Sequence, residues 1–417
     1  MERKLFAMEE WIYRASRRKH TPLPINFGIA LLCDPLPEEQ EIKNALQEME
    51  NIFPFWKIRV ILRQKERAIL TTTDTSPFPV ISEEVPNIWK AIASQMEQLF
   101  DDPSLPLFRI TLYKSPQGGF FYAHFDHALV DGIGAISWLK TLFSILDGKH
   151  PSPLPTCNWD QILSKHFTRT WQEKYDTERN SSKLWWKSLQ EILCEPSWPT
   201  HWHYHLLSHS FSPTITQKLR EKTKQENTTV HAALAVSFLQ AFYEEGYGHK
   251  NPQRTILSPV NLRPLYGLSP DTFGLLNGTI RTPVDFSEPR PFWEKCRSFK
   301  HQIDNQIKDT DFLYFHYRAE KDLQKALLHG FQKRRRFDTR KDYDLSLTNT
   351  GLIQGFPSFV KVIYGPIAQG LPTETVLGVC TYNDYLTLSW VSKPEFMPDE
   401  ISNRLFQRGI EILLSVL

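Results

Sequence analysis

One short stretch of the chain combines residue types that could carry out proton transfer. His127 closes an apolar run that starts near Phe120, and Asp131 and Gly132 come four and five residues later. A histidine changes charge near neutral pH, so it can accept and release a proton during a reaction. Gly132 can adopt backbone conformations that other residues resist, and a long apolar-periodic segment follows it. The pattern predicts a strand, a loop that carries His127, and the start of a helix.

Each of these residues also has a purely structural interpretation. Asp131 could cap the helix that follows it, and Gly132 could serve only as a turn residue. His124 and Asp126 alternate with Phe125, so in a continuous strand they share the face opposite that ring. We treat both as candidate substrate-channel residues, although ordinary packing would also explain His124.

Length and composition exclude several classes of protein. The chain has 417 residues, 41% of them hydrophobic, which suggests two or three core-forming units. Its net charge of +2 gives no general attraction for nucleic acid. The five cysteines are scattered, so neither a disulfide framework nor a zinc knuckle is expected. No apolar run approaches the roughly 18 residues of a membrane span, and the first residues lack a signal core. We therefore expect a cytoplasmic protein without a transmembrane segment.

Predicted strands and helices alternate through both halves of the chain. A proline-rich linker and a polar segment separate the halves, which places the lobe boundary between residues 195 and 196. Residues 1–195 form the predicted N-terminal lobe and residues 196–417 the C-terminal lobe. Several neighbouring strands have the spacing of hairpins, so we predict α/β lobes whose mixed sheets are flanked by helices.

At this point the sequence resembles a known superfamily. The segment from His127 to Gly132 matches the HxxxDG motif of chloramphenicol-acetyltransferase-like acyltransferases, which include condensation domains, alcohol acetyltransferases and wax-ester synthases. Residues 258–264 resemble the strand end that bears an arginine in the second lobe, here Arg263. Residues 348–351 resemble the SNLG-type segment and contain Asn349. The resemblance covers nearly the whole chain.

The resemblance implies a fold and a set of roles. It implies two similar lobes with an active-site tunnel at their interface, and His127 as the general base within it. It implies that Asp131 turns away from substrate to pair with Arg263, while Asn349 lines the channel and Gly132 contributes to an oxyanion site. Condensation domains usually carry a second histidine where this chain has Asp126, so ester formation is favoured over amide formation. The chain lacks the DFGWG motif of the plant BAHD branch.

Two further polar segments suggest ligands. The basic run of Arg334, Arg335 and Arg336 could be a solvated loop, or it could dock the phosphates of acyl-CoA or an acyl carrier protein. The alternating histidines at 201, 203 and 205 could bind zinc, but a half-solvated strand is the preferred interpretation. We expect no permanently bound cofactor and no metal. The acyl donor, on acyl-CoA or phosphopantetheine, would be a cosubstrate.

The sequence thus predicts an acyltransferase that moves an acyl group from a thioester to a hydroxyl or amine acceptor, with O-acyl transfer favoured. The alternative is a condensation-like module that recruits a carrier or partner protein without turnover. The residues do not identify the acyl group, the acceptor, the donor carrier or the oligomeric state.

Overall fold

The computed structural model describes residues 2–17, 25–53, 57–63, 66–73, 80–100, 102, 106–168, 173, 201–247, 251–329, 343–370 and 373–417. The residues on either side of the predicted lobe boundary and the basic run of Arg334, Arg335 and Arg336 lie outside them.

Fourteen strands occur in the described residues. They are β1 (Glu2–Lys4), β2 (Asn26–Cys33), β3 (Ile58–Ile61), β4 (Ile69–Thr72), β5 (Val80–Glu84), β6 (Phe108–Ser115), β7 (Gly118–Asp126), β8 (His205–Phe211), β9 (Gln253–Asn261), β10 (Asn277–Asp285), β11 (Leu345–Leu352), β12 (Val360–Ala368), β13 (Val376–Tyr382) and β14 (Tyr385–Ser392).

The α-helices of the same residues lie between these strands and after the last of them. They are α1 (Ala7–Ser16), α2 (Glu39–Glu48), α3 (Ile88–Met96), α4 (Gly132–Leu146), α5 (Trp159–His166), α6 (Pro213–Gln225), α7 (Val230–Glu244), α8 (Arg263–Tyr266), α9 (Phe292–Asp309), α10 (Tyr314–His329) and α11 (Asp399–Ser415).

The strands form two large mixed sheets and one small sheet. The first large sheet has the order β12-β2-β7-β6-β5, and the second has the order β10-β9-β11-β13-β14-β8. Parallel pairs occur in both, between β5 and β6 in the first and between β11 and its two neighbours in the second. The small sheet contains the predicted hairpin of β3 and β4, with β1 added at its edge. These sheets, with helices packed against them, confirm the predicted fold class.

Each large sheet has its own hydrophobic core. In the first, the aromatic side chain of Trp138 on α4 packs edge-on against Phe125 of β7, and both are fully buried. In the second, Phe238 of α7 stacks on Trp390 of β14. Full burial of such side chains stabilises each by about 1.5–3 kcal/mol relative to exposure. Each sheet can therefore hold its site residues on a rigid support.

The two halves of the chain are interlocked. Strand β12 comes from the second half, yet it pairs antiparallel with β2 in the first sheet. In the opposite sense, α1 of the first half packs on α10, where the indole nitrogen of Trp11 donates to the carbonyl of Ala319 at 3.3 Å. A division at residue 195 therefore assigns β12 to a half whose sheet it does not join.

None of the described helices is both long enough and apolar enough to cross a membrane. Cys33, Cys157, Cys296 and Cys380 are buried free thiols.

Candidate active site

His127 lies in the loop that joins β7 to α4. Its backbone nitrogen donates to the carbonyl of Ile25 at 3.2 Å, which fixes the loop to the chain just before β2. Its ring meets the ring of Phe27 edge-on, with 4.9 Å between the centroids. The side chain is half-buried and lines a cleft. The predicted strand, loop and helix start are all present, and His127 is the first residue of the loop after β7.

A hydrogen bond fixes which ring nitrogen of His127 can act as a base. Nδ1 lies 2.9 Å from the carbonyl oxygen of Val130. A carbonyl oxygen only accepts, so the neutral ring must carry its proton on Nδ1. Nε2 then keeps a lone pair and can accept a proton.

Burial keeps this ring neutral. Removal of the imidazole from water lowers the pKa of His127 below its ordinary value of 6.5, and the nearby carboxylates of Asp131 and Asp126 oppose that shift only in part. The ring is therefore in its basic form at neutral pH, as a proton acceptor requires.

Asp131 serves two structural roles at once. It caps α4, because one carboxylate oxygen accepts the backbone N–H of Gly134 at 2.8 Å. The same carboxylate makes a bidentate ion pair with Arg263, with both N–O distances 2.9 Å. The backbone N–H of Leu276 donates to it at 2.9 Å as well. The pair that the resemblance implied between Asp131 and Arg263 is therefore present, and it coexists with the helix cap.

Arg263 reaches this pair from the other half of the chain. It begins α8, directly after β9, and is fully buried. Its Nε donates to the carbonyl of Thr272 at 2.9 Å, and one terminal nitrogen donates to the side chain of Asn261 at 3.2 Å. The ion pair thus ties the loop after β7 to the second sheet.

The cleft beside His127 lies between the two large sheets and has a volume of about 230 Å³. The first half of the chain and β12 contribute mainly apolar side chains, and β10 and β11 contribute polar ones. Strand β9 contributes Leu257, Pro259 and Val260 besides Asn261. The lining residues that bear on the chemistry are Phe27, His127, Gly132, Thr279, Thr348 and Asn349. The resemblance implied a passage at the interface of the lobes, and the cleft occupies that place.

Gly132 stands where α4 closely approaches the second half of the chain. A Cβ at this position would lie 3.0 Å from Cγ of Pro366 and 3.3 Å from Cγ2 of Thr350. Contacts of that length are tighter than most real Cβ contacts, so any side chain would push β12 or β11 away. A side chain here would have to displace Pro366 or Thr350 by a few tenths of an ångström, whereas the glycine leaves the first amides of α4 beside the cleft.

Asn349 has a structural role besides its place in the cleft wall. Its side-chain oxygen accepts the backbone N–H of Gly351 at 2.8 Å, which stabilises the turn at the end of β11. It also lines the cleft.

The expectation that His124 and Asp126 line the substrate channel is wrong. Both are almost completely buried, and neither is among the residues that line the cleft. They do share the strand face opposite Phe125, but that face packs inside the protein. His124 lies 5.0 Å from the ring of Phe100, and burial, with a smaller effect from Arg109, lowers its pKa well below the ordinary value.

Sequence reasoning missed the partner of Asp126. Arg17, directly after α1, forms an ion pair with it at 2.7 Å, and its guanidinium lies 3.6 Å above the ring of Tyr13. Asp126 also accepts the backbone N–H of Ala128 at 2.9 Å. The loop that carries His127 is thus fixed at its entrance by Arg17 and at its exit by Arg263. No local pattern marked Arg17, because the two residues are far apart in sequence.

The alternating histidines at 201, 203 and 205 are not among the residues that line the cleft. His203 pairs with Glu395 at 2.9 Å, and His205 lies 3.1 Å from the side chain of Asn403, so these histidines contact helix α11 and the turn before it. Arg334, Arg335 and Arg336 lie outside the described residues.

A larger cavity of about 910 Å³ lies beside α5 and α10, away from His127. Its charged lining residues include Arg67, which forms ion pairs with Glu10 and Glu320, and Arg3, which forms one with Glu9. No histidine is among the described residues that line it, so this cavity lacks the proton acceptor that His127 supplies to the cleft.

Comparison with known proteins gives matches by structure only. No family model and no curated protein sequence matches the chain. Among solved structures, the first condensation domain of the calcium-dependent antibiotic synthetase superposes with a TM-score of 0.70 at 14% identity, and covers 100% of this chain and 96% of its own.

Two other matches show how widely this architecture is used. Trichothecene 15-O-acetyltransferase from Fusarium sporotrichioides has a TM-score of 0.66 at 11% identity, covering 99% of this chain and 94% of its own. The epimerization domain from the third module of tyrocidine synthetase B has a TM-score of 0.65 at 13% identity, covering 100% and 97%. The chain therefore has the chloramphenicol-acetyltransferase-like, two-lobed fold of condensation domains.

Proposed function

We propose that the protein is an acyltransferase that moves an acyl group from a thioester to a hydroxyl or amine acceptor, with His127 as general base. The observation that carries this proposal is a neutral imidazole, oriented by the Val130 carbonyl, in a cleft between two sheets. The fold is shared with an acetyltransferase and with condensation domains, which supports acyl-transfer chemistry.

The proposed step begins with proton transfer. Nε2 of His127 accepts the proton of the acceptor hydroxyl as its oxygen attacks the thioester carbonyl carbon. A positioned base of this kind typically contributes about 10²- to 10⁴-fold to the rate. Asp131 acts behind the ring: it holds the loop through Arg263 and favours the imidazolium that forms.

The second half of the step returns the proton. The tetrahedral intermediate carries a negative oxygen, for which the backbone amide at Gly132, at the start of α4, is the proposed donor. When the intermediate collapses, the carbon–sulfur bond breaks and the leaving thiolate takes the proton from the imidazolium. The acyl group then resides on the acceptor, the thiol is free, and His127 is neutral again.

Ester formation is the preferred reaction within this proposal. Asp126, which stands where condensation domains usually carry another histidine, is buried and paired with Arg17, so it offers no second base to the cleft. One base suffices for a neutral hydroxyl. For the donor we propose acyl-CoA or a carrier-bound acyl group, docked by the basic run that contains Arg334, Arg335 and Arg336.

The test is thiol release by the purified protein. A panel of acyl-CoA donors is incubated with a mixture of alcohols and amines, and the products are identified by mass spectrometry. The variant His127→Ala should lose at least about 100-fold in rate. The matched control is His203→Ala, because that exposed histidine lies outside the cleft.

Two outcomes would contradict the proposal. Unchanged turnover in a folded His127→Ala protein would remove the base role. Absence of thiol release across all donors, together with stable binding of an acyl carrier protein, would instead identify a recruitment module.

A further inference from the structure

The wall of the cleft formed by the second sheet presents neutral polar groups. Thr279 of β10 lies opposite Pro259 of β9 in the antiparallel register, and Ser346 of β11 lies beside Leu257, which also belongs to β9. Thr348 is two residues beyond Ser346 and so shares its face. With Asn277, these side chains form what we term the polar wall: Asn277, Thr279, Ser346 and Thr348, all of which line the cleft.

The polar wall has hydrogen-bonding capacity to spare. Within the described residues, none of its four side chains makes a hydrogen bond to another protein group. The neighbouring Thr350 differs, because its hydroxyl donates to the carbonyl of Val379 at 3.3 Å. Asn261 differs too, since its oxygen accepts from Arg263. The wall is therefore prepared to bond something that enters the cleft.

The opposite side of the cleft is apolar. Phe27 of β2 and Ile25, the residue before that strand, border this side of the cleft. Ile133 of α4 and the β12 residues Pro366 and Ala368 complete it. A molecule in the cleft thus meets carbon on one side and the polar wall on the other. Leu257, Pro259 and Val260 of β9 also line the second side, and Gln369 and Glu374 line the cleft beyond β12.

We propose that the acceptor substrate is a compact molecule with a second hydroxyl or a similar hydrogen-bonding group besides the one that is acylated. The second group binds the polar wall, and the hydrocarbon part packs against Phe27. This inference rests on the proposed function and specifies its acceptor.

Two physical arguments support this acceptor. A purely hydrocarbon acceptor would displace water from the hydroxyls of Thr279 and Thr348 without replacing their hydrogen bonds, which is unfavourable. The cleft volume of about 230 Å³ also accommodates a compact acceptor. For comparison, an apolar cavity of about 150 Å³ holds benzene, so a substituted six-membered ring is of suitable size.

The test compares two alcohols of the same shape. In 1,3-benzenedimethanol and 3-ethylbenzyl alcohol, one reactive hydroxyl is common to both, and the second position carries either a hydroxyl or a methyl group. With an acyl donor in excess, kcat/KM for the diol, halved for its two equivalent hydroxyls, should exceed that for the ethyl compound by about 10-fold. Binding of each alcohol in the absence of donor is measured by calorimetry.

Variants locate the effect. Thr348→Val and Thr279→Val keep the branched side chain and remove the hydroxyl. Each should therefore bring the ratio of kcat/KM for the diol to kcat/KM for the ethyl compound closer to one. Thr223→Val is the control, because that threonine lies on α6 and bonds to the carbonyl of Arg220. It should leave the preference unchanged.

The possible results separate this inference from the proposed function. Turnover of both alcohols at equal kcat/KM would overturn the polar-wall proposal and leave acyl transfer standing. If neither alcohol is turned over, the proposed function fails, but calorimetry still tests the polar-wall inference. Equal binding of the two alcohols contradicts that inference. Tighter binding of the diol that is lost in Thr348→Val supports it.

Discussion

Asp131 offers the sharpest test of how the active-site loop is held. The substitution Asp131→Ala removes a carboxylate that bonds to both terminal nitrogens of Arg263 and to the backbone amides of Gly134 and Leu276. Both members of the ion pair are buried, with side-chain exposures of 6% for Asp131 and 1% for Arg263. The variant therefore leaves a buried guanidinium without its counter-charge.

The expected loss follows from that geometry. Removal of one partner of a buried ion pair typically costs about 3–5 kcal/mol. Arg263 keeps its bonds to the carbonyl of Thr272 and to Asn261, which places the expected value toward the lower end of that range. Activity should fall further than the folded fraction, because the loop that orients His127 loses its anchor at one end.

A second buried pair in the molecule supplies the matched control. Asp344 and Arg254 form an ion pair at 3.0 Å with side-chain exposures of 7% and 1%, and neither residue lines the cleft. The variant Asp344→Ala should therefore lose stability by a similar amount and keep the specific activity of its folded fraction. Urea unfolding gives the free energy of unfolding, and thiol release at a temperature where each protein is folded gives the activity.

The comparison can refute the reasoning in two ways. If the free energy of unfolding of Asp131→Ala is within about 1 kcal/mol of that of the parent protein, the ion pair does not hold the loop. If Asp344→Ala loses as much specific activity as Asp131→Ala, the loss reflects general loosening of the fold. A rate loss at full stability would instead indicate that Asp131 takes part in the chemistry directly.

Three further predictions concern the same loop. Because burial lowers the pKa of His127 below 6.5, the base form persists as the pH falls through 6.5, and kcat/KM should decline only at lower pH. The free energy of unfolding should likewise not change above about pH 6.5 and should decrease below it, since the unfolded ring then binds the proton more tightly. A decline of kcat/KM that already begins above pH 6.5 would contradict this. Gly132→Ala places a methyl group 3.0 Å from Pro366, so kcat/KM should fall about 10-fold by displacement of the cleft wall, and unchanged kinetics would disprove the close approach. Arg17→Met leaves the buried carboxylate of Asp126 unpaired and should lower the free energy of unfolding by about 3 kcal/mol, measured in urea; a loss under 1 kcal/mol would show the pair to be unimportant.

Local patterns were sufficient for much of the fold. Strand β2 coincides with the run NFGIALLC, which is apolar after its first residue, and α4 begins at Gly132 because Asp131 caps it. Helix α10 was missed, although Ala319, Leu323 and Leu327 recur every four residues and pack against Trp11. Its apolar face is covered by α1, which lies about 300 residues earlier in the sequence, so a pattern within a short stretch of residues does not reveal the contact.

Contacts that depend on the assembled sheets could not be predicted from the residues alone. The alternation of His124 and Asp126 with Phe125 correctly gave their shared face, but a strand pattern does not reveal which face of a central strand borders a cleft. The pair of Asp131 with Arg263 was expected only through the family resemblance, since 132 residues separate the partners. The contact of Pro366 with Gly132 depends on the position of β12 and had no sequence signal.

The position of β12 also bears on how the protein folds during synthesis. Until the ribosome has made residues 360–368, strand β2 has β7 on one side and an unpaired edge on the other. Such an edge is a template for wrong pairing between chains, and more than 300 residues must be translated while it stays open. The last step of the first sheet thus waits for the second half of the chain. Because β12 also supplies the wall that faces Gly132, the same late event completes the cleft, so a chain that ends before β12 would lack that wall of the site.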